Sequence, residues 1–422
     1  MAKILIENGR IVDPSQGIDR IANLSIEDGK IVGIDVAADG HDTVIDATDK
    51  IVTPGFIDLN VELQEPGWEE DETIETGTAA AIAGGFTSIA CAPNTDPPIE
   101  TQAGVEFVKH QALRLNNCNV FVLACVSKGR EGEQLAEIGT LVSAGAVGFC
   151  DARRPIQNAG LLRRALQYCL MFDKPILNHP QATPLVGEGV MHEGELSMIL
   201  GLKGMPVEAE DINTARDVRL TEATGGRIHL QSISSVGSLE VIRRAKARGV
   251  RVTAEVCPHN IALTDQEMRR FDSNFKTYPP LRSQVHIDAC IAALADGTID
   301  VIASGHSPRA SEKKMRELDQ APFGIVALET ALSIVIGELI DPGHLTWLQA
   351  VEKLSLNPAK VLGLDKGTLK PGADADVTII DPNVTWTADP SQYHSKSRNC
   401  PYAGRELRGK AVQVIVGGEC KL

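Results

Sequence analysis

Between residues 54 and 305 the chain repeats one motif: a short apolar run, a polar turn and a helical stretch. The apolar runs are Phe56–Asn60, Thr87–Ala92, Asn119–Val126, Ala146–Cys150, Pro175–His179, Arg227–Ile233, Arg251–Cys257 and Asp300–Gly305. Most are apolar throughout, as strands buried on both faces must be. Helical stretches such as Glu75–Ala83, Thr101–Leu115, Leu161–Met171, Asp211–Glu222, Ser238–Arg248 and His286–Leu294 lie between them. Eight strands alternating with helices predict a (β/α)8 TIM barrel over residues 54–364. The long stretch from His179 to Arg227 carries more than one helix and reads as decoration of that barrel.

The two ends of the chain differ from this pattern. Residues 1–53 hold short β-type segments at Lys3–Glu7, Arg10–Asp13, Asn23–Glu27, Lys30–Ile34 and Thr43–Asp46. Hairpin-like turns at Asn8-Gly9, Asp28-Gly29 and Asp39-Gly40 separate several of them. After helical stretches at Trp347–Leu354 and Pro358–Leu362, residues 365–422 return to turns and strands, with a last strand at Val412–Val416. Neither end makes a domain alone. The simplest arrangement joins them into one small composite β-sandwich.

Composition limits the function. A formal charge of −15 argues against nucleic acid or an anionic membrane as a partner, since both attract basic faces. No apolar run is long enough to span a bilayer. The first residues lack a signal-peptide core, and the nine cysteines contain no CxxC pair. Dispersed thiols of odd number fit a reducing cytoplasm better than a disulfide framework.

Chemistry in such a barrel sits at the carboxyl ends of the strands. Around the first, Ile57, Leu59, Val61 and Leu63 alternate with Asp58, Asn60, Glu62 and Gln64, which sends Asn60 and Glu62 to one face. The later strand ends carry Asn94, Asp151, His179, Ser232, His259, Gly305 and His306. A lone Asp or His in such a place can equally cap the next helix.

Longer motifs run nearly end to end: Pro54-Gly55-Phe56-Ile57-Asp58-Leu59, Glu65-Pro66-Gly67, Ala83-Gly84-Gly85-Phe86-Thr87, Pro93-Asn94-Thr95, Ala144-Gly145-Ala146-Val147-Gly148-Phe149, Pro279-Pro280-Leu281-Arg282, Ala321-Pro322-Phe323-Gly324 and Gly367 to Asp376. In these the chain resembles the dihydroorotases of the amidohydrolase superfamily. The resemblance implies an amidohydrolase-type barrel with a β-sandwich and a one- or two-zinc site. It also implies reversible ring closure of N-carbamoyl-aspartate to dihydroorotate in pyrimidine biosynthesis.

Four of the six metal-site positions that the resemblance marks are substituted. The family's first strand carries His-x-His and then Arg, where this chain has Asn60, Glu62 and Gln64. Asp151 and His179 match. Ser232 stands where a ligating His is expected, and His229, three residues earlier, points elsewhere by strand parity. Gly305 stands in place of the general base. Zinc takes imidazole, thiolate or carboxylate, so Asn60 is a poor ligand. Asp151, His179 and Glu62 remain as candidates, with Cys150 and Cys257 as remote soft donors. Asn94 and His306 survive of the family's substrate contacts. Gln64, Arg309 and Tyr278, the last standing where the family has Asn, complete the expected pocket.

Three readings stand at this point. The chain is similar to the non-catalytic dihydroorotase homologues that partner aspartate carbamoyltransferase. This predicts a pseudoenzyme, no cofactor or at most one weakly bound zinc, and a homo- or hetero-oligomer. The alternative is an active dihydroorotase or related cyclic-amide hydrolase with a reduced mononuclear site on Asp151, His179 and Glu62. A ligand-binding module using Asn94, His306 and Arg309 is the third. The charged loop Ser307 to Gln320 is expected to be a solvated surface loop.

Overall fold

A computed structural model describes residues 3–35 and 40–422, so Asp39 of the expected Asp39-Gly40 turn lies outside the described residues. The eight apolar runs form one parallel sheet. In chain order its strands are β6 (Phe56–Val61), β7 (Phe86–Cys91), β8 (Asn119–Ala124), β9 (Gly148–Phe149), β10 (Ile176–Asn178), β13 (Ile228–Leu230), β14 (Val252–Val256) and β15 (Val301–Ile302). A parallel bridge from Val61 to His306, with the Glu62 amide on the His306 carbonyl at 2.9 Å, joins the last strand's extension to the first. The sheet is thereby closed into a barrel. β9 and β15 are shorter than their apolar runs. Beyond β15 the chain turns away: the Ser304 amide bonds the Asp58 carboxylate (3.0 Å) and Gly305 is left-handed at φ +67°.

The covering helices begin where capping residues stand. Thr73, Thr101, Asn158 and Ser235 each accept a backbone N–H of the first turn. Ile57, Leu59, Leu123, Leu177, Val301 and Ala303 fill the barrel interior. Ala359, Val361 and Leu362 of the helix Asn357–Leu362 join this cluster. Arg227, just before β13, bonds the Val361 carbonyl (2.8 Å), which puts this plug at the amino end of the strands. The decoration between β10 and β13 is a two-stranded ribbon, β11 (Met191–His192) with β12 (Gly204–Met205), and the helices Glu195–Leu200 and Glu208–Thr224.

The chain ends meet as expected, in one eight-stranded mixed sheet rather than two stacked ones. β1 (Ile4–Asp13), β2 (Ile18–Glu27), β3 (Lys30–Ile34), β4 (Thr43–Asp46) and β5 (Ile51–Pro54) come from the start. β16 (Val377–Thr387), β17 (Glu406–Val416) and β18 (Glu419–Cys420) come from the end, and β5 pairs with β16. Ile4, Ile11, Leu24 and Ile26 bury against Val377, Ile379 and Ile415. The tail also leaves this sheet between β16 and β17 to brace the barrel. Ser395 and Lys396 bond Glu72, and Asn399 bonds the Ser307 and Gly324 carbonyls.

The expected solvated loop after Ser307 is corrected in its first half. Ser307, Ala310 and Lys314 are buried, and Lys313 bonds Glu70 and Asp71 at 2.8 Å each. The acidic residues that draw it down, Glu70 and Asp71, lie far away in sequence, which is why its charge read as solvated.

Candidate active site at the barrel mouth

β6 carries Asn60 and Glu62 to the mouth, and both are tied to other side chains. The Asn60 amide nitrogen donates to Ser232 Oγ (3.0 Å) and Glu255 Oε1 (2.6 Å). Glu255 Oε2 meets His229 Nε2 at 2.9 Å, and His229 Nδ1 meets Thr253 Oγ1 at 2.9 Å. A polar ladder, buried from His229 onward, thus runs up the barrel and ends on Asn60. His229 is not sent elsewhere by strand parity: it faces Thr253 and Glu255 and reaches Asn60 through Glu255. Glu255 alternates with Ala254 and Val256 on β14, so inward parity was its only sequence signal.

Glu62 has four partners. Arg153 Nε reaches Oε1 (2.7 Å). Arg309 Nη1 (2.9 Å), Ser307 Oγ (2.7 Å) and Gln64 Nε2 (2.9 Å) share Oε2. Burial alone would raise this carboxyl, but Arg309 and Arg153 outweigh it and hold it down at about 2. Gln64, which stands where the resemblance marks an arginine, is left-handed at φ +61° and turned back onto Glu62.

Asp151 and His179 stand on the opposite side. Asp151 Oδ1 accepts the amides of Val126 (2.9 Å) and Ser127 (3.2 Å), and Ser127 Oγ donates to Oδ2. His179 is buried, its ring 4.6 Å from that of Tyr278, with no hydrogen-bond partner at Nε2. Burial first, then the Arg153 charge, pull its pKa down to about 3, so it is neutral. His259 is similar: buried, neutral with a pKa near 3, and without a partner at Nδ1.

His306, expected to face substrate, is turned into the structure. Its Nδ1 accepts the Ala327 amide (3.1 Å), so the proton sits on Nε2, which faces Glu72 at 3.3 Å. At Gly305 an added Cβ would meet Cys257 Sγ at 2.7 Å.

The residue that sequence reasoning missed is Arg153. Its Nε holds Glu62, Nη1 donates to the Tyr278 carbonyl and Nη2 to the Gly305 carbonyl at 3.2 Å. The signal was present: Arg153-Arg154 follows two residues after a strand-end Asp in a chain of net charge −15. Arg130 belongs with it, bonding the Asp151 carbonyl through Nε (3.2 Å) and Nη2 (3.0 Å).

The mouth opens into two cavities that share Arg130, Arg153 and Arg154. One, of about 640 Å³, also takes in Asp151 and Tyr278. The other, of about 300 Å³, takes in Glu62, Gln64, Asn94, Arg309 and Lys313. Asn94 Oδ1 has no hydrogen-bond partner. Five cations, Arg130, Arg153, Arg154, Arg309 and Lys313, thus face two carboxylates, Glu62 and Asp71, in the smaller cavity.

These residues do not fit a zinc ion. Every carboxylate oxygen of Glu62 and Asp151 accepts hydrogen bonds from the protein, and Asn60 presents an amide donor to Ser232 and Glu255. Burial holds Cys150 at about 12 and pushes Cys257 higher still, so neither is a thiolate at neutral pH. Among the described residues no group of three or more His, Cys, Asp or Glu side chains could hold a metal.

A family model described as dihydro-orotase-like matches residues 49–238, and one described as amidohydrolase family matches residues 327–420. A protein of Pelotomaculum thermopropionicum named dihydroorotase is 50% identical over 99% of this chain and 97% of its own length. One of Rhodopirellula baltica named putative dihydroorotase is 48% identical over 99% of this chain and 92% of its own. Among solved structures, an L-hydantoinase (dihydropyrimidinase) from Arthrobacter aurescens superposes with a TM-score of 0.89 at 26% identity, covering 100% of this chain and 96% of that one.

Proposed function

The chain belongs to the dihydroorotase-like family of the amidohydrolases, and from that premise we propose that its barrel mouth receives the family's anionic reactants, N-carbamoyl-L-aspartate and dihydroorotate, without hydrolysing them by a metal route. The observation that carries this is the arginine-lined mouth of a strongly acidic chain. A cationic cavity in a negative surface concentrates small carboxylates and excludes polyanions too large to enter. The ligand class comes from the relatives' names. The loss of hydrolysis is supported by every carboxylate oxygen of Glu62 and Asp151 already accepting a hydrogen bond from the protein and by Gly305 offering no base.

On this reading the protein is a cytoplasmic, non-catalytic member of pyrimidine biosynthesis that assembles with aspartate carbamoyltransferase. Its nine cysteines, all free, suit that compartment. No helix among the described residues is long and apolar enough to cross a membrane.

A second reading is favoured by the names of the relatives, which lean toward catalysis as the mouth geometry leans away from it. Here the chain is an active dihydroorotase whose Asp151 and Glu62 shed their present partners and join His179 Nε2 in taking one metal. One experiment separates the two: zinc analysis of protein made in zinc-supplemented medium, then dihydroorotase assays in both directions, with and without aspartate carbamoyltransferase from the same source. The first reading expects calorimetric binding of N-carbamoyl-L-aspartate, no turnover, and co-elution with the transferase. Stoichiometric zinc with turnover selects the second. The double variant Asn60→His/Glu62→His is expected to stay inactive, because Ser232 and Gly305 still lack ligand and base.

A further inference from the structure

We propose that the Arg153 guanidinium occupies the place that the substituted metal positions surround, and that this fixed cation makes the mouth a metal-free receptor for ligands carrying a carboxylate beside an N–H. The ligand half of this inference rests on the proposed function, while the charge-replacement half stands by itself.

Arg153 does what a central ion does: it draws together groups from separate elements. Glu62 comes from the end of the first barrel strand, the Gly305 carbonyl from beyond the last, and the Tyr278 carbonyl from the connection between the seventh and eighth. Two of these, Glu62 and Gly305, are themselves positions of the expected metal site. A third, His179, lies close enough for the Arg153 charge to depress its protonation, as does His259. A guanidinium is charged at every accessible pH and needs no loading. Its presence also repels any cation that would compete for the same carboxylates.

The arginine retains binding capacity. A guanidinium has five N–H donors, and three partners are identified here, which leaves two. Arg153 lines both cavities, so this capacity lies next to space a ligand can fill. A carboxylate matches the fork geometry of a guanidinium. His179 Nε2 and His259 Nδ1 lack partners, and in the tautomer that leaves each of them bare they accept the N–H of a ureido or ring amide. The ligand class is therefore an N-acyl or N-carbamoyl amino acid, or its cyclised form.

The test compares the full-length protein with Arg153→Met and Arg153→Lys, each purified from zinc-supplemented medium. Zinc content, melting temperature with and without chelator, and calorimetric binding of N-carbamoyl-L-aspartate are read for each. The wild type is expected to carry far less than one zinc per chain and to melt at the same temperature in chelator. Arg153→Met is expected to melt several degrees lower and to bind the ligand at least about tenfold more weakly. Arg153→Lys should fall between, keeping the charge and losing the fork. If Arg153→Met does not fold, Arg153→Lys carries the comparison.

One zinc per wild-type chain, or a melting temperature lowered by chelator, overturns the charge replacement. Unchanged ligand affinity in both variants overturns the receptor. A wild type that is zinc-free and dependent on Arg153 for its melting temperature, yet binds no N-carbamoyl-L-aspartate, upholds the replacement and overturns the proposed ligand.

Discussion

The two sides of the barrel mouth are built on the same scaffold and have opposite economies of hydrogen bonding. Asn60 and Glu62 have both found protein partners, from Ser232 and Glu255 to Arg153 and Arg309. On the His179–His259 side two buried imidazoles keep a bare nitrogen each. Buried polar atoms are nearly always paired, so the first side is a finished structure and the second is one that waits for a ligand or water. Losing a metal ligand is therefore only half of what changes at such a site. The neighbours of the replacement must also be satisfied, and here an arginine does it.

The sharpest way to break this contrast is Glu62→Gln. It leaves Arg153 and Arg309 facing a neutral amide. A cost of about 3 kcal/mol is expected from the loss of a buried charge partner, discounted for the partial exposure of both arginines. Urea unfolding at neutral pH measures it. A loss no larger than that of an ordinary surface substitution would mean that the Glu62 side is not held by its pairs.

Acid should act on the other side. His179 and His259 stay neutral down to about 3 when folded, against an ordinary value of 6.5. Below 6.5 the unfolded chain binds protons that these folded imidazoles do not, so stability falls as pH drops through that window. By about pH 5 the loss is on the order of 2 kcal/mol for each imidazole. Glu62, depressed from 4.5 to about 2, adds its own loss in that lower window. Urea midpoints recorded across this range should decline, and the double variant His179→Phe/His259→Phe should flatten the upper part of the curve.

Gly305→Asp tests whether the missing base can be restored. The left-handed backbone and Cys257 Sγ stand against it, at a cost of about 1–3 kcal/mol. No dihydroorotase turnover is expected. The smallest effect belongs to His179→Phe at neutral pH, where the bare Nε2 goes together with the ring's backbone hydrogen bond at Gln231, and stability should fall by about 1 kcal/mol. A large loss there would reveal a partner for Nε2 and erase the contrast between the two sides.

Much of the framework was legible because burial writes itself into short apolar runs. All eight barrel strands appear where the runs stand, within a few residues at their ends. The Ser304 bond to Asp58 and the left-handed Gly305 end the last strand early, which no local pattern announces. The composite β domain was legible as two unfinished ends, though not as one continuous sheet. Site positions were legible as positions, while their partners were not. His306 was expected in the pocket because the resemblance marks a substrate contact at that strand end. Its actual partner, Glu72, is 234 residues away. Arg153 follows Asp151 closely in the sequence, but only the meeting of Glu62, Tyr278 and Gly305 around it gives it meaning.

The pairing of β5 with β16 has a consequence for how the chain is made. The ribosome delivers Ile4, Ile11 and Val52 early and their covering residues Val377, Ile379 and Ile415 more than 300 positions later. Until then β5 presents an open edge and an uncovered apolar face, the features that invite aggregation in a growing chain. Ser395 and Asn399, which fasten the mouth, also arrive at the end. The barrel can close during synthesis, but its mouth is completed only once Ser395 and Asn399 have emerged. Early termination anywhere in the final strands would therefore release a barrel with its receptor unfinished and a sticky sheet beside it.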